Sequence, residues 1–213
     1  MAGETPVTIG TRVRCSDGAC GWVSRVVVDP AALAVTHLVV EPEDRREPGR
    51  LVPLDLVHSA AGSMELRCTL AEFYQLSHGE KRQVVPGTGD YARYRPEQLP
   101  RQGRYLQRQA RPGFGVSGRM PQSFTYDTVP DREVALRGGD PVHATDGQTG
   151  QIRGVAMDHD SRHMSHLLLK ETGLLHRKRV AIPIRVVSRV DAGIQLNIPQ
   201  RQARRLPRYT ASS

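Results

Sequence analysis

The sequence predicts a mostly β protein in which two small barrels, each of five to six short strands and a short terminal helix, are joined by a disordered linker. Three observations support this fold. An eight-residue pattern occurs twice, the segments after each occurrence have the length and apolar content of short strands, and the intervening stretch is rich in Gly, Pro and Arg. The expected boundaries are residues 7–76 and 133–207 for the barrels, 77–132 for the linker and 208–213 for a tail.

The repeated pattern is SDGACGWV at residues 16–23 and TDGQTGQI at residues 145–152. A shift of 129 residues aligns residues 13–40 with 142–169 without a gap, and a shift of 130 continues the alignment to Leu76 and Leu206. The chain is therefore an internal duplication. The residues that recur are Asp17, Gly18, Gly21, Asp29, His37 and Pro53 in the first copy, and Asp146, Gly147, Gly150, Asp158, His166 and Pro183 in the second.

Each copy begins with a predicted hairpin. Asp-Gly between apolar runs favours a two-residue turn, in which Gly18 and Gly147 would supply the positive φ. Gly21 and Gly150 would then permit close packing of the strands behind the turn. We expect these residues to be structural, and Asp29 and Asp158 to hold the next turn by accepting hydrogen bonds from backbone amides.

The rest of each copy also favours short strands. VTHLVV and MSHLLL are apolar strands, and each copy continues with a strand that contains a proline. Proline cannot donate to a sheet ladder, so Pro53 and Pro183 are predicted at a sheet edge or a bulge. LAEFYQL and QRQARRLP at the ends of the copies favour one or two helical turns. A domain of about 65 residues is only marginally stable alone, so packing of the barrels as a pseudo-dimer is an alternative to independent barrels.

The two copies, VRCSDGACGWVSRVVVDPAALAVTHLVV and VHATDGQTGQIRGVAMDHDSRHMSHLLLK, resemble the PRC-barrel family. That family is named for the cytoplasmic domain of the photosynthetic reaction centre H subunit and includes the C-terminal domain of a ribosome maturation factor. Its D-G-x-x-G turn, Asp-ended strand, aliphatic strand and Val-Pro strand occur in order in both copies. The arrangement is similar to tandem actinobacterial members. The resemblance implies a docking module without enzymatic activity.

The formal charge of +8 is unevenly distributed, because residues 1–76 carry −3, residues 77–132 carry +5 and residues 201–213 carry +4. The predicted linker interleaves its arginines with Tyr and Phe, a composition that suits either a tether or a weak contact with nucleic acid. HRKR at residues 176–179 and RQARRLPR at residues 201–208 suit either a basic patch or ordinary solvated surface.

The cysteines and histidines are candidate site residues. Cys15 and Cys20 flank the predicted turn, and with Asp17 and Gly18 as loop residues they would face each other across the hairpin. Free thiols are favoured over a disulfide, because the default compartment is the cytoplasm.

His159, His163 and His166 have a spacing that would suit a metal on a helix but loses that meaning on a turn and strand, so no metal is predicted. The recurring His37 and His166 are expected to be half-buried, bonded to a backbone carbonyl or the recurring Asp, with a pH-sensitive docking contact as the alternative.

The sequence contains no nucleophile elbow, phosphate-binding loop or dinucleotide fingerprint, so neither catalytic residues nor a cofactor is predicted. No segment approaches the length of a membrane span. We therefore expect a cytoplasmic, non-enzymatic adaptor that binds protein partners through its barrel surfaces. The alternatives are an RNA- or ribosome-associated factor that uses the basic linker and tail, and an enzyme with a pocket between the domains.

Overall fold

The structure is a computed structural model that describes residues 4–44, 47–60, 63–85, 122–158, 160–171, 179–190 and 193–206. It confirms the predicted mostly β fold, with two curled sheets that correspond to the two copies. The elements of the first half are β1 (Glu4–Thr8), β2 (Arg12–Cys15), β3 (Gly18–Asp29), β4 (Ala34–Pro42), β5 (Arg50–Pro53), β6 (Val57–Ala60), β7 (Ser63–Leu66) and α1 (Leu70–Gln75). The first sheet has the strand order β5-β4-β3-β2-β7-β6.

The second half repeats this arrangement. Its elements are β8 (Glu80–Val85), β9 (Gln122–Asp127), β10 (Val134–Arg137), β11 (Pro141–Ala144), β12 (Gly147–Asp158), β13 (Met164–Glu171), β14 (Arg179–Pro183), β15 (Val187–Val190), β16 (Ile194–Leu196) and α2 (Gln200–Ala203). The second sheet has the order β14-β13-β12-β11-β16-β15. Short 3-10 turns at Leu54–Leu56 and Ile184–Val186 follow the two proline-bearing strands, which form the outer end of each strand order.

The alternation of the sequence decides which face of each strand is buried. In β2, Val13 and Cys15 are buried while Arg12 and Arg14 are exposed, the period-two pattern of a strand with one face on a core. The long central strand β3 instead buries consecutive valines, because its two faces enter different apolar clusters. Register shifts in the β2–β3 and β3–β4 ladders mark irregularities along β3, as expected where a sheet curls.

The first strand of each copy is paired with the sheet of the other copy. β1 pairs antiparallel with β12, with Val7 opposite Val155, and β10 pairs antiparallel with β3, with Leu136 opposite Val26. The same 129-residue shift that relates the copies relates these two pairings. The intramolecular pairing of the copies thus takes the form of a reciprocal strand exchange.

The chain crosses between the sheets at two equivalent turns. Residues 8–11 and 137–140 each close with a hydrogen bond from the fourth residue to the first, and Gly10 and Gly139 occupy their third positions with φ of 93° and 96°. A positive φ at this position is what a type II turn requires, so glycine is the favoured residue. Gly10 N donates to Val23 O and Gly139 N to Ile152 O, again equivalent contacts. The exchange is therefore symmetric at its hinges.

The exchange produces one core shared by both copies. A single cluster contains Val7, Leu38, Phe73, Leu167 and Ile194, each with no exposed surface. Val7 on β1 belongs to this cluster. A side chain from the start of the chain thus packs in the core beside the second sheet. Since each barrel encloses a strand of the other, burying the apolar surface of either copy requires both.

The ends of the predicted linker are ordered strands, which corrects the prediction of disorder over the whole of residues 77–132. β8 and β9 form a two-stranded antiparallel sheet in which Val85 pairs with Gln122. Residues 86–121 lie outside the described residues, so the predicted disorder of this segment stays a prediction. Because this segment leaves and returns at one place, it is an insertion in a hairpin and does not set the distance between the barrels.

Cleavage of the insertion is expected to leave the two halves associated. A site for a sequence-specific protease placed between residues 86 and 121 of the full chain would be cut, and both fragments would co-elute in size-exclusion chromatography, because the exchanged strands and the β8–β9 ladder still join them. The same digest in urea, where the fragments separate, serves as the control. Separation under native conditions would contradict the exchange.

Gly154→Ala is expected to destabilise the protein much more than Gly139→Ala. A Cβ on Gly154 would lie 2.1 Å from Val7 O, so β1 must move away from β12, whereas Gly139 has open space around it and a φ of 96°. We expect a loss of about 3 kcal/mol or more for Gly154→Ala and about 1 kcal/mol for Gly139→Ala. Urea unfolding measures both, and equal losses would show that β1 does not pack closely on β12.

Candidate functional site

The turn aspartates connect each hairpin to the helix of the same copy. Asp17 Oδ1 accepts a hydrogen bond from Leu70 N at 2.8 Å, and Asp146 Oδ1 accepts one from Gln200 N at 2.8 Å. Each carboxylate thus satisfies an amide at the start of a helix, a role that local turn chemistry did not predict. The recurrence of Asp at this position is explained by a contact 53 or 54 residues away in sequence.

The hairpin turns are shifted by one residue from the prediction. Cys15 pairs with Gly18 and Ala144 with Gly147, so the loop residues are Ser16-Asp17 and Thr145-Asp146. Gly147 has a φ of 135°, but Gly18 does not occupy the left-handed region; a Cβ there would lie 3.2 Å from Leu70 Cδ1. With this register, the Asp17 and Asp146 carboxylates reach the first amides of α1 and α2.

The glycines behind the turns lie at equivalent register shifts. A Cβ on Gly21, whose φ is 155°, would lie 1.8 Å from Glu41 O, so Gly21 is required by close approach of β4. Gly150 pairs with Val142 at the corresponding register shift. Close approach of a neighbouring strand is thus the constraint at Gly21.

The three cysteines form a buried cluster of free thiols. The register shift removes Cys20 from a position directly opposite Cys15, contrary to the predicted geometry, and the Cys20 thiol donates to Val13 O at 3.3 Å. Burial is the main cause that raises the pKa of Cys15 to about 12, that of Cys20 to about 11 and that of Cys68 to about 12. The thiolate form needed for oxidation or alkylation is therefore disfavoured.

The loops after the two central strands are held by their aspartates and by each other. Asp29 Oδ1 accepts from Ala31 N and Ala32 N, and Asp158 Oδ1 accepts from the amides of Asp160 and Ser161. Across the junction, Val35 N donates to Arg162 O and Met164 N to Leu33 O. These equivalent contacts add a second seam between the copies.

The recurring histidines contact a glutamate at the edge of the exchanged strand. His37 Nδ1 lies 3.4 Å from Glu133 Oε2, and His166 Nδ1 lies 3.4 Å from Glu4 Oε1. These pairs are again related by 129 residues. The charged neighbour is therefore an acidic side chain from the other copy, where the sequence had favoured a backbone carbonyl or the recurring aspartate. The sequence signal that could have found it is that Glu4 and Glu133 also recur. His166 Nδ1 also lies 3.2 Å from Ser165 Oγ, while His37 Nδ1 has no hydrogen-bond partner among the described residues.

His163 is a second inter-copy contact, since its Nδ1 lies 3.0 Å from Ala32 O. His159 lies outside the described residues. Within the part of the chain that the structure describes, no group of three or more His, Cys, Asp or Glu is placed to hold a metal ion.

A buried ion network fixes the inserted hairpin to the first sheet. Arg25 on β3 contacts Glu80 on β8 at 2.5 Å and Asp127 on β9 at 3.5 Å. Arg137 on the exchanged strand β10 donates to both Asp127 oxygens, at 2.7 and 2.8 Å. Four strands thus meet at one cluster of charges, and hydrogen bonding to Asp127 raises the pKa of Arg137 against the cost of burial.

The helices carry the largest chemical difference between the copies. Each helix buries one side chain in the core, Phe73 in α1 and Ala203 in α2. The exposed side of α1 presents Tyr74, whereas the equivalent position of α2 is Arg204. The same scaffold thus presents a tyrosine in one copy and an arginine in the other.

A cleft of about 150 Å³ lies between the copies. Val7 and Met157 contribute apolar wall, while Asp55, Arg67 and Arg162 contribute charge. Arg162 donates to Asp55 across the junction, so two of these charges already satisfy each other. The cleft is therefore mainly part of the boundary between the two copies.

Known proteins add no identification here: no family model matches the chain, and no curated protein is significantly similar to it. Among the described residues, no helix has the length and apolarity needed to cross a membrane.

The cysteine cluster predicts resistance to alkylation. With iodoacetamide at pH 8, native protein is expected to remain unmodified at Cys15, Cys20 and Cys68, because the raised pKa values keep these buried groups as thiols. After unfolding in urea, all three are expected to react, and intact mass measures both states. Rapid native alkylation would contradict the burial.

The pKa values of these thiols are higher in the folded than in the unfolded chain. These groups therefore favour folding below about pH 9, and that contribution to stability is lost as the pH rises from about 9 towards 12.

Proposed function

We propose that this chain is a non-enzymatic adaptor or assembly module, built from two PRC-barrel-like copies, that binds a protein partner through its barrel surfaces. The observation that carries the proposal is Tyr74, which is 39% exposed and is the one large apolar side chain on the surface of the described residues. Exposed tyrosines are frequent anchors of protein interfaces, because they combine a large apolar area with a polar tip.

Tyr74 is held in place by the residues around it. Its ring packs edge-on against Phe73, with centroids 5.4 Å apart, and the Arg50 guanidinium lies 5.7 Å from its centroid. Arg50 is itself fixed, because it donates to Leu76 O at 3.1 Å and pairs with Glu47. An anchor that is already ordered loses little conformational entropy when a partner binds.

The helix under Tyr74 is equally well defined. Thr69 and Glu72 form a capping box, in which the Thr69 hydroxyl accepts from Glu72 N and the Glu72 carboxylate accepts from Thr69 N. This contact lowers the pKa of Glu72. Together with the Asp17 contact, it supports α1 as a rigid docking surface on a rigid body.

The experiment is site-specific photo-crosslinking in the native cell. A photoreactive phenylalanine analogue at Tyr74 of the full chain is expected to give a discrete protein adduct, because this surface would face the partner. The same analogue at Ser188, an exposed position in the second copy, is the control and should not give that adduct. Tyr74→Arg, which places the residue of the second copy on α1, is expected to lose the captured protein in a pull-down.

Three results would contradict the proposal: the same adduct from both positions, retention of the partner by Tyr74→Arg, or capture of nucleic acid alone at Tyr74. The last result would favour the RNA-associated alternative instead. Folding of each variant is checked by its urea unfolding midpoint, which should stay close to that of the unmodified chain.

A further inference from the structure

The exposed side of the α2 turn is a row of arginines. Hydrogen bonds from Arg204 N to Gln200 O and from Leu206 N to Ala203 O continue the helical turn beyond Ala203. Ala203 is buried and Leu206 packs against the core, while Arg201, Arg204 and Arg205 are exposed. Their spacing of three and four residues places the three guanidinium groups on one face, with about 5–6 Å between neighbouring Cβ atoms.

The duplication shows that the fold does not require these charges. The equivalent residues of α1 are Ala71, Tyr74 and Gln75, on a helix that starts at the same type of aspartate contact and buries its side chain in the same core. One copy thus serves as an internal reference for the other. The exposed positions at which the helices differ therefore report on the surface.

The helix itself has lost its acidic residue, because Glu72 of the first copy corresponds to Gln202. Glu65, on the strand before α1, likewise corresponds to Gln195. Of the arginines on the α2 face, Arg201 and Arg205 take part in no ion pair with the residues that the structure describes, and Arg204 donates to Gln200 Oε1 at 3.3 Å. The exposed face of the α2 turn therefore carries three arginines and lacks the glutamate that the first copy has on its helix.

We propose that this α2 face, formed by Arg201, Arg204 and Arg205, binds the phosphodiester backbone of a nucleic acid. Guanidinium groups pair with phosphate oxygens through two parallel hydrogen bonds, and a row of them matches a ladder of regularly spaced phosphates. The chain favours nucleic acid over a lipid surface, because residues 86–121 add seven arginines together with Tyr91, Tyr94 and Tyr105, whose rings suit stacking on bases. This activity goes beyond the protein docking proposed for α1 and does not depend on it.

The test uses the full chain and a fluorescein-labelled single-stranded RNA of 20 nucleotides, with anisotropy measured at 50, 100 and 200 mM KCl. The variant Arg201→Ala/Arg204→Tyr/Arg205→Gln places the residues of α1 on α2, where the first copy shows that the fold accepts them. We expect its dissociation constant to rise about tenfold at the lowest salt, and the slope of log affinity against log salt to fall by about 2. A matched DNA oligonucleotide distinguishes recognition of RNA from recognition of any phosphate backbone.

The control variant Arg14→Gln/Arg67→Gln/Arg153→Gln removes three exposed arginines elsewhere and has the same net charge. It is expected to change the affinity less than threefold. Equal losses in both variants, or no loss in the α2 variant, would overturn the assignment. Loss of binding to vesicles with 30% phosphatidylglycerol, with RNA binding unchanged, would assign the face to a membrane and also overturn it.

A double variant, Arg201→Ala/Arg205→Gln, keeps the test decisive if the triple variant fails to fold. Tyr74→Ala should leave the RNA affinity unchanged. Failure of the protein docking at α1 is therefore distinguishable from failure of nucleic acid binding at α2.

Discussion

The pairing of each copy's first strand with the other copy's sheet is the contact on which the rest of the structure depends. β1 completes the second sheet and β10 completes the first, so the apolar interiors of both copies form one cluster. A single copy of this size would be only marginally stable alone. The exchange increases the buried surface, because each sheet gains a strand from the other copy. Both copies belong to one chain, so no second molecule has to supply these strands.

The exchange also explains residues that have no local reason to recur. Gly10 and Gly139 turn the chain at the two crossings, and Glu4 and Glu133 reach the recurring histidines of the opposite copy. Gly154 breaks the symmetry, since its equivalent in the first copy is Arg25. Where Gly154 allows β1 to approach, Arg25 instead turns to the acidic residues that hold the inserted hairpin.

With the scaffold shared, the copies differ in what they present to solvent. The residues that hold the helices, Asp17 and Asp146, are the same, while the exposed positions have diverged from tyrosine and alanine to arginine. A protein with two related but chemically distinct faces can bind two different ligands. The proposed protein contact at α1 and nucleic acid contact at α2 are consistent with that arrangement.

The sequence alone determined the duplication, the strand-rich fold, the short helices and the proline-bearing edge strands, because these depend on residue spacing and on backbone chemistry that acts over a few residues. It could not determine the register of the hairpins, since a single extra residue near Cys20 moves the turn without changing the local pattern. Nor did it show that Val85 and Gln122 pair, because the long segment between them hides the ladder. Only the tertiary structure decided which copy each first strand joins, because that choice is made by contacts more than a hundred residues apart.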